Sequence, residues 1–399
     1  MQIHPLVTTT ETLAALCRRW RDAPFIAVDT EFMRENSYWP DLCLVQVASP
    51  AEAAAIDPKA GLDLSPLLEL LVEASVLKVF HAGSQDIEIV HNLTGRTPQP
   101  IFDTQVAAMA LGMGEQVGYT QLVEKRLGCQ IDKGARFTDW SRRPLDERQI
   151  RYAIGDVTHL AELFPGLLDE LRRSGRGGWL DPEMERLCDP ASYRNDPESM
   201  WRRIKPPSRR PDALGRLKAL AAWREREAME KNVPRGRIAK DETLADLASH
   251  PPRVQADLAR VRGLSATWAT NEIGRRLMAA LAAAQPLPEA EMPEREPRTR
   301  GLTQDGALVA DLLKLLLKVR AKESGVAPKL IARSEELEAL AAGERSGLAL
   351  LEGWRLDAFG RDALALVEGR LGFVVEKGRP RLRALRGTGP AQPQDSGPE

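Results

Sequence analysis

The chain lacks a run of about 18 uncharged apolar residues, and no basic stretch precedes an apolar one near Met1, so neither membrane insertion nor export is signalled. The expected location is therefore the cytoplasm. Cysteine is scarce: Cys17, Cys43, Cys129 and Cys188 lie far apart with no CxxC pair, which argues against a disulfide framework and a zinc knuckle. No GxxxxGK[ST] loop occurs, so nothing is present to cradle a nucleoside triphosphate. A surplus of either charge is also missing. Lys and Arg total 56 against 57 Asp and Glu, a net charge of -1, which excludes polyanion binding by bulk basicity but leaves room for a local basic groove.

What is present is 399 residues of ordinary globular composition, enough for two or three separate cores. Residues 25–58 read as three short strands, FIAVDTEF, CLVQVAS and AAAID, separated by turn-rich segments, which suggests an antiparallel meander. Strands then alternate with helices, implying parallel additions to the same sheet and a mixed α/β layer structure. A long helix is expected from about Asp146 to Arg173.

The rest reads as helical. Residues 194–210 carry six basic and two acidic residues with a Pro pair, and residues 285–298 hold four prolines and four glutamates, so both resemble connectors. IAKDETLADLA from Ile238 matches IARSEELEALA from Ile331 at an offset of 93 residues, each copy with a capping residue, Asp241 or Ser334, and an acidic first turn. Two related small helical bundles follow from this repeat. The expected organisation is an α/β domain at 1–175, a basic connector at 176–208, bundles at 209–284 and 301–375 separated by a Pro/Glu linker at 285–300, and a basic, then disordered tail at 376–399.

Asp29 and Glu31 sit at i and i+2 on the first long strand, so they project from one face. The apolar residues around them mark that strand as central, and an unpaired pair of anions there is costly. Asp86 falls in the first turn of the helix after VLKVFHA, where a carboxylate also suits the helix dipole. Tyr152 and Asp156 lie one turn apart on the long helix. Each signal is weak alone. Together the four carboxylates suit two Mg²⁺ or Mn²⁺ ions, which can activate a water and stabilise the leaving oxygen of a phosphodiester, with Tyr152 holding the water.

These motifs, DTE, HAGSQD and YAIGD, resemble in order and separation the three exonuclease motifs of the DEDD 3′-to-5′ exonucleases. Tyr152 four positions before the last Asp resembles the tyrosine subclass; the histidine subclass has His where Arg151 stands. DTEFMRENSYWPDLCLVQVA and TDWSRRPLDERQIRYAIGDV are similar to the ribonuclease D family, and the helical repeats resemble its HRDC module. The resemblance implies a ribonuclease H-like α/β exonuclease domain followed by two all-α HRDC-type bundles. It also implies an enzyme that trims tRNA precursors bearing 3′ extensions and releases nucleoside 5′-monophosphates; three domains contacting one substrate make a monomer sufficient. A DNA exonuclease and a catalytically silent RNA-binding protein remain as alternatives at this stage.

A single-strand exonuclease grips its end by stacking and phosphate contacts. KGARFTDWSRR offers four basic residues with interleaved aromatics, which makes Lys133, Phe137, Trp140, Arg142 and Arg143 candidate substrate contacts. Met33, on the Glu31 face, is a candidate contact for the terminal base. Tyr38 and Trp39 are turn aromatics that offer stacking surfaces, and Arg235, Arg237, Lys240 and Lys329 could offer phosphate contacts, although a solvated bundle face is the preferred reading of each of these cations taken singly.

Overall fold

The computed structural model describes residues 1–206, 208–292 and 303–385; it divides into two compact units, one comprising Met1–Asp103, Val123–Pro165 and Pro182–Glu296, the other Thr104–Leu122, Gly166–Asp181 and Pro297–Glu399. The boundaries differ from those expected, because the first helical module is packed together with the nuclease sheet in one unit. Among the described residues no helix is long and apolar enough to cross a membrane.

In the first unit β1 (Gln2–Ile3), β2 (Phe25–Met33), β3 (Asp41–Ala48), β4 (Glu52–Ile56), β5 (Leu77–Phe80) and β6 (Ile101–Asp103) form a sheet in the order β1-β4-β3-β2-β5-β6. β2, β3 and β4 are the expected antiparallel meander, and β5 and β6 add in parallel beyond β2. β2 is thus central, which is why its first four residues are apolar on both faces.

Helices α1 (Thr10–Arg21), α2 (Ser65–Val72) and α3 (Ser84–Thr94) cover one face, where Leu13, Leu16 and Trp20 meet Ile26, Val28, Leu70 and Ile87. Truncating Trp20, which is fully buried, would cost about 3–5 kcal/mol. Two short helices, α4 (Thr104–Ala110) and α5 (Tyr119–Leu127), precede the long α6 (Glu147–Arg173). The opposite face of the sheet, Cys43, Leu44 and Ala55, receives Ala153 and Ile154 of α6. Alternation along β2 therefore sends Val28 to the α1–α3 layer and Asp29 and Glu31 to the α6 layer.

The expected connector is not a free linker. It contains α7 (Asp181–Cys188), places Tyr193 against the sheet's core, and buries Met200 and Trp201 in the first helical module. That module, α8 (Pro211–Lys231), α9 (Arg235–Ile238), α10 (Asp241–Ser249) and α11 (Glu272–Ala283), is built around Leu214, Leu217, Leu244, Trp268 and Leu277. The start of the Pro/Glu segment also docks: the Leu287 N–H donates to the Pro211 carbonyl at 2.9 Å. Residues 293–302 lie outside the described residues.

The turn after β2 is held by this module. The Asn232 side-chain oxygen, at the left-handed end of α8, accepts from the Tyr38 and Trp39 N–H groups at 3.1 and 3.0 Å. The Tyr38 hydroxyl donates to the buried Glu225, which also pairs with Arg235 at 3.2 Å, and Arg237 donates to Asn36. Tyr38, Arg235 and Arg237 are thus occupied in packing the turn.

In the second unit α12 (Gln304–Ser324), α13 (Pro328–Ile331) and α14 (Ser334–Ala341) match α8, α9 and α10, with α13 and α14 starting 93 residues after their counterparts, as the sequence repeat requires. Asp241 and Ser334 are first helical residues rather than caps; Lys240 and Arg333 precede them. The all-α reading of this end needs one correction. Beyond α15 (Gly353–Arg355) and α16 (Arg361–Val367), β7 (Leu371–Glu376) and β8 (Arg379–Ala384) form an antiparallel hairpin where a basic tail was expected. Lys377 and Gly378 both have positive φ, 50° and 72°, the geometry of a two-residue primed turn. The tail beyond Leu385 lies outside the described residues.

Candidate active site

Asp29 and Glu31 come from β2, Asp156 from α6, and one oxygen of each lies within 4.8 Å of the others. The Tyr152 hydroxyl, one turn before Asp156, hydrogen-bonds to the Asp156 carboxylate. Asp86 stands beside this triplet rather than in it. Thr30, between the two β2 carboxylates, donates its hydroxyl to Asp86 Oδ1, and the negative charge of Asp29 acts on Asp86.

The start of α3 is fixed by its backbone. Ala82 has φ 56°, and a Cβ on Gly83 would lie 2.5 Å from that of Phe80, so glycine is required there. The N–H groups of Ala82 and Gly83 donate at 3.1 and 2.9 Å to the buried Asp103 at the end of β6. Three consecutive features of HAGSQD, the left-handed residue, the glycine and the helix start, therefore deliver Asp86 to the sheet edge.

Electrostatically the cluster gathers more negative charge than its neighbours offset. Burial, then the charges of Asp29, Asp156 and Asp86, push Glu31 up to about 9. Asp29 and Asp86 are raised in the same way, burial first and neighbouring carboxylates second. Asp156 is raised by burial against the lowering effects of Tyr152 and Arg136. The Tyr152 phenol is driven well above its ordinary value by burial and by Asp156, so it stays protonated. Hard oxygen donors, converging and short of positive charge, are the donor set that Mg²⁺ or Mn²⁺ takes, and the site fits such ions.

The remaining candidates separate. Met33 is half-buried against Cys43, Leu44 and Trp140 on the carboxylate face. Phe137 is 90% exposed with the Arg136 guanidinium 5.2 Å from its ring centre, and Arg142 is exposed beside Asp139. Trp140 and Arg143 are corrected. Trp140 is buried with its ring 6.2 Å from Tyr152, so it supports the tyrosine instead of offering a face to RNA. Arg143 forks onto the buried Asp57 at 2.6 and 2.7 Å and donates to the Cys43 carbonyl at 2.7 Å, tying its segment to the sheet. The Lys133 side chain lies outside the described residues. Sequence reasoning passed over Thr30, Asp103 and Arg136, the cation whose charge reaches Glu31 and Asp156. Arg136 was visible only as one of four bases in a loop, and nothing in the spacing distinguished it.

Residues 5–172 match the family model of 3′-5′ exonucleases, and residues 213–281 match the HRDC domain. A ribonuclease D of Sphingobium indicum is 68% identical over 96% of this chain and 99% of its own length. The chain belongs to the ribonuclease D family. Another ribonuclease D, from Zymomonas mobilis, is 63% identical over 95% of this chain and 98% of its own. The crystal structure of Escherichia coli RNase D, described as an exoribonuclease involved in structured RNA processing, superposes with a TM-score of 0.76 at 30% identity, covering 92% of this chain and 99% of that one. Ribonuclease D membership makes the protein a 3′-to-5′ exoribonuclease, a hydrolase of RNA phosphodiester bonds with the expected exonuclease and HRDC architecture.

Proposed function

We propose that Asp29, Glu31, Asp86 and Asp156 hold two divalent cations, Mg²⁺ or Mn²⁺, and that Tyr152 positions the water that attacks the terminal phosphodiester of an RNA 3′ end. The observation that carries this reading is the convergence of Asp29, Glu31 and Asp156 with the Tyr152 hydroxyl bonded to the last of them. Bound there, the cations would neutralise the carboxylates, ease deprotonation of the water and stabilise the departing 3′ oxygen. Tyr152 remains a phenol at neutral pH, so it can keep one donor on Asp156 and accept from a water, which fixes that water without taking its proton. Thr30 holds the Asp86 carboxylate directly, Asp103 fixes the backbone ahead of its helix, and Trp140 backs the tyrosine ring.

The proposed substrates are tRNA precursors with 3′ extensions, shortened to release nucleoside 5′-monophosphates by a cytoplasmic monomer that uses no nucleoside triphosphate. Phe137, Arg142 and Met33 are the proposed contacts for the leaving end, with the Lys133 side chain as a fourth. A 3′-extended tRNA, a matched DNA strand and the Asp29→Asn variant, assayed with Mn²⁺, test this. Ladder-like shortening of the RNA, with Asp29→Asn lower by at least about 10³-fold, is expected. Faster loss of the DNA, or an Asp29→Asn variant as active as the parent chain, defeats it.

A further inference from the structure

The β7–β8 hairpin has two unlike faces. The turn at Lys377 and Gly378 pairs Glu376 with Arg379, Val374 with Arg381 and Gly372 with Arg383. Alternation therefore places Arg379, Arg381 and Arg383 in one row, about 6.8 Å apart at a rise of about 3.4 Å per residue. The facing strand contributes one acid, Glu376, and two residues too small to cover the row, Gly372 and Val374. Glu376 takes Arg383 at 3.2 Å with both partners more than half exposed. No hydrogen bond or ion pair engages Arg379 or Arg381 among the described residues, and both are exposed.

Leu371, Phe373 and Leu382 occupy the other face and are half-covered, which anchors a ribbon that would be marginal alone. Residues 371–385 thus hold four bases and one acid in a chain whose net charge is -1. Three exposed arginines in one row, two of them without a protein partner among the described residues, concentrate positive charge on this face, and the polyanion that this family of exoribonucleases handles is RNA.

We propose that the arginine row of the β7–β8 hairpin binds the phosphodiester backbone of RNA. The row makes phosphate contacts without reading bases. It adds affinity to any RNA long enough to reach it and takes no part in hydrolysis. The proposal rests on family membership and not on the metal assignment, so it is tested by binding in EDTA, where the carboxylate reading has no influence.

The experiment measures the affinity of the full chain for a 20-nucleotide single-stranded RNA and for a stem-loop with a 3′ extension, from 50 to 300 mM salt. Two doubles at positions 379 and 381, Arg379→Gln with Arg381→Gln and the corresponding Arg→Lys pair, are compared with a control, Arg18→Gln with Arg172→Gln, that removes the same charge elsewhere. Loss of two phosphate contacts should flatten the log Kd against log salt slope by about 1.4 for the single strand and weaken binding about 10-fold at low salt. The Arg→Lys pair should keep the slope, and kcat on a dinucleotide should not change. An unaltered slope in the Gln double overturns the proposal, as does an equal loss in the control pair. So does a Gln double that self-associates while its monomer binds RNA normally, because the arginines would then serve only to guard a sheet edge.

Discussion

Thr30 donates its hydroxyl to Asp86, so the residue between two strand carboxylates holds a third that arrives on a different helix. Thr30 is buried and points away from Asp29 and Glu31 along the strand, which lets one three-residue segment organise three of the four acids. Thr30→Val keeps the shape and removes the donor. Mn²⁺ affinity should fall about 10- to 100-fold, as for other outer partners of metal ligands, with recovery in Thr30→Ser. A Mn²⁺ titration followed by electron paramagnetic resonance reads it.

The carboxylate cluster also sets a pH dependence. The folded pKa of Glu31 lies above its ordinary 4.5, at about 9, and those of Asp29, Asp86 and Asp156 move the same way. In that window the folded state binds more protons than the unfolded one, so stability of the metal-free protein declines as pH rises from about 5 towards 9. Thermal melts in EDTA should show this decline. Mn²⁺ should raise Tm more at pH 8 than at pH 6, since it competes with the protons, and Asp29→Asn should flatten the EDTA profile.

A contrast between neighbours separates a residue that ties its segment to the sheet from one proposed to touch RNA. Arg143→Ala strands the buried Asp57 carboxylate and should cost about 3–5 kcal/mol. Phe137→Ala, at an exposed ring, should leave the denaturation midpoint within about 0.5 kcal/mol of the parent. Its effect should appear in the KM for RNA. Urea melts and steady-state kinetics on the two variants separate these roles.

The hold of the first helical module on the turn after β2 is measurable too. Asn232 has φ 49°, so Asn232→Ala combines a strained backbone with two lost acceptor contacts, together about 1–3 kcal/mol. Asn232→Gly relieves the strain alone and Asn232→Asp retains the acceptor. Their melting temperatures should rank Asp above Gly above Ala.

The parts of the fold carried by periodicity were legible. The β2–β4 meander, the long α6 and the repeat offset follow from alternation, helical spacing and self-similarity, all local properties of the chain. The acids of the site were legible for a related reason: carboxylates on apolar elements stand out. Trp140, Tyr38 and Arg143 look like solvent-facing loop residues because their partners, Tyr152, Glu225 and Asp57, are 12 to 187 positions distant, and composition carries no trace of those pairings. The hairpin at Leu371–Ala384 had a local signal, a Lys-Gly turn between alternating segments, obscured by its run of arginines.

The central claim is that the acids of β2, α3 and α6 together form a metal centre. A crystal of the full chain soaked in Mn²⁺, with anomalous scattering recorded at the manganese edge, tests it directly. Two peaks bounded by Asp29, Glu31, Asp86 and Asp156 are expected, and no peak there in Asp29→Asn crystals at the same Mn²⁺ concentration. A parent crystal with no anomalous peak among these four carboxylates, while remaining active on RNA, would contradict the account.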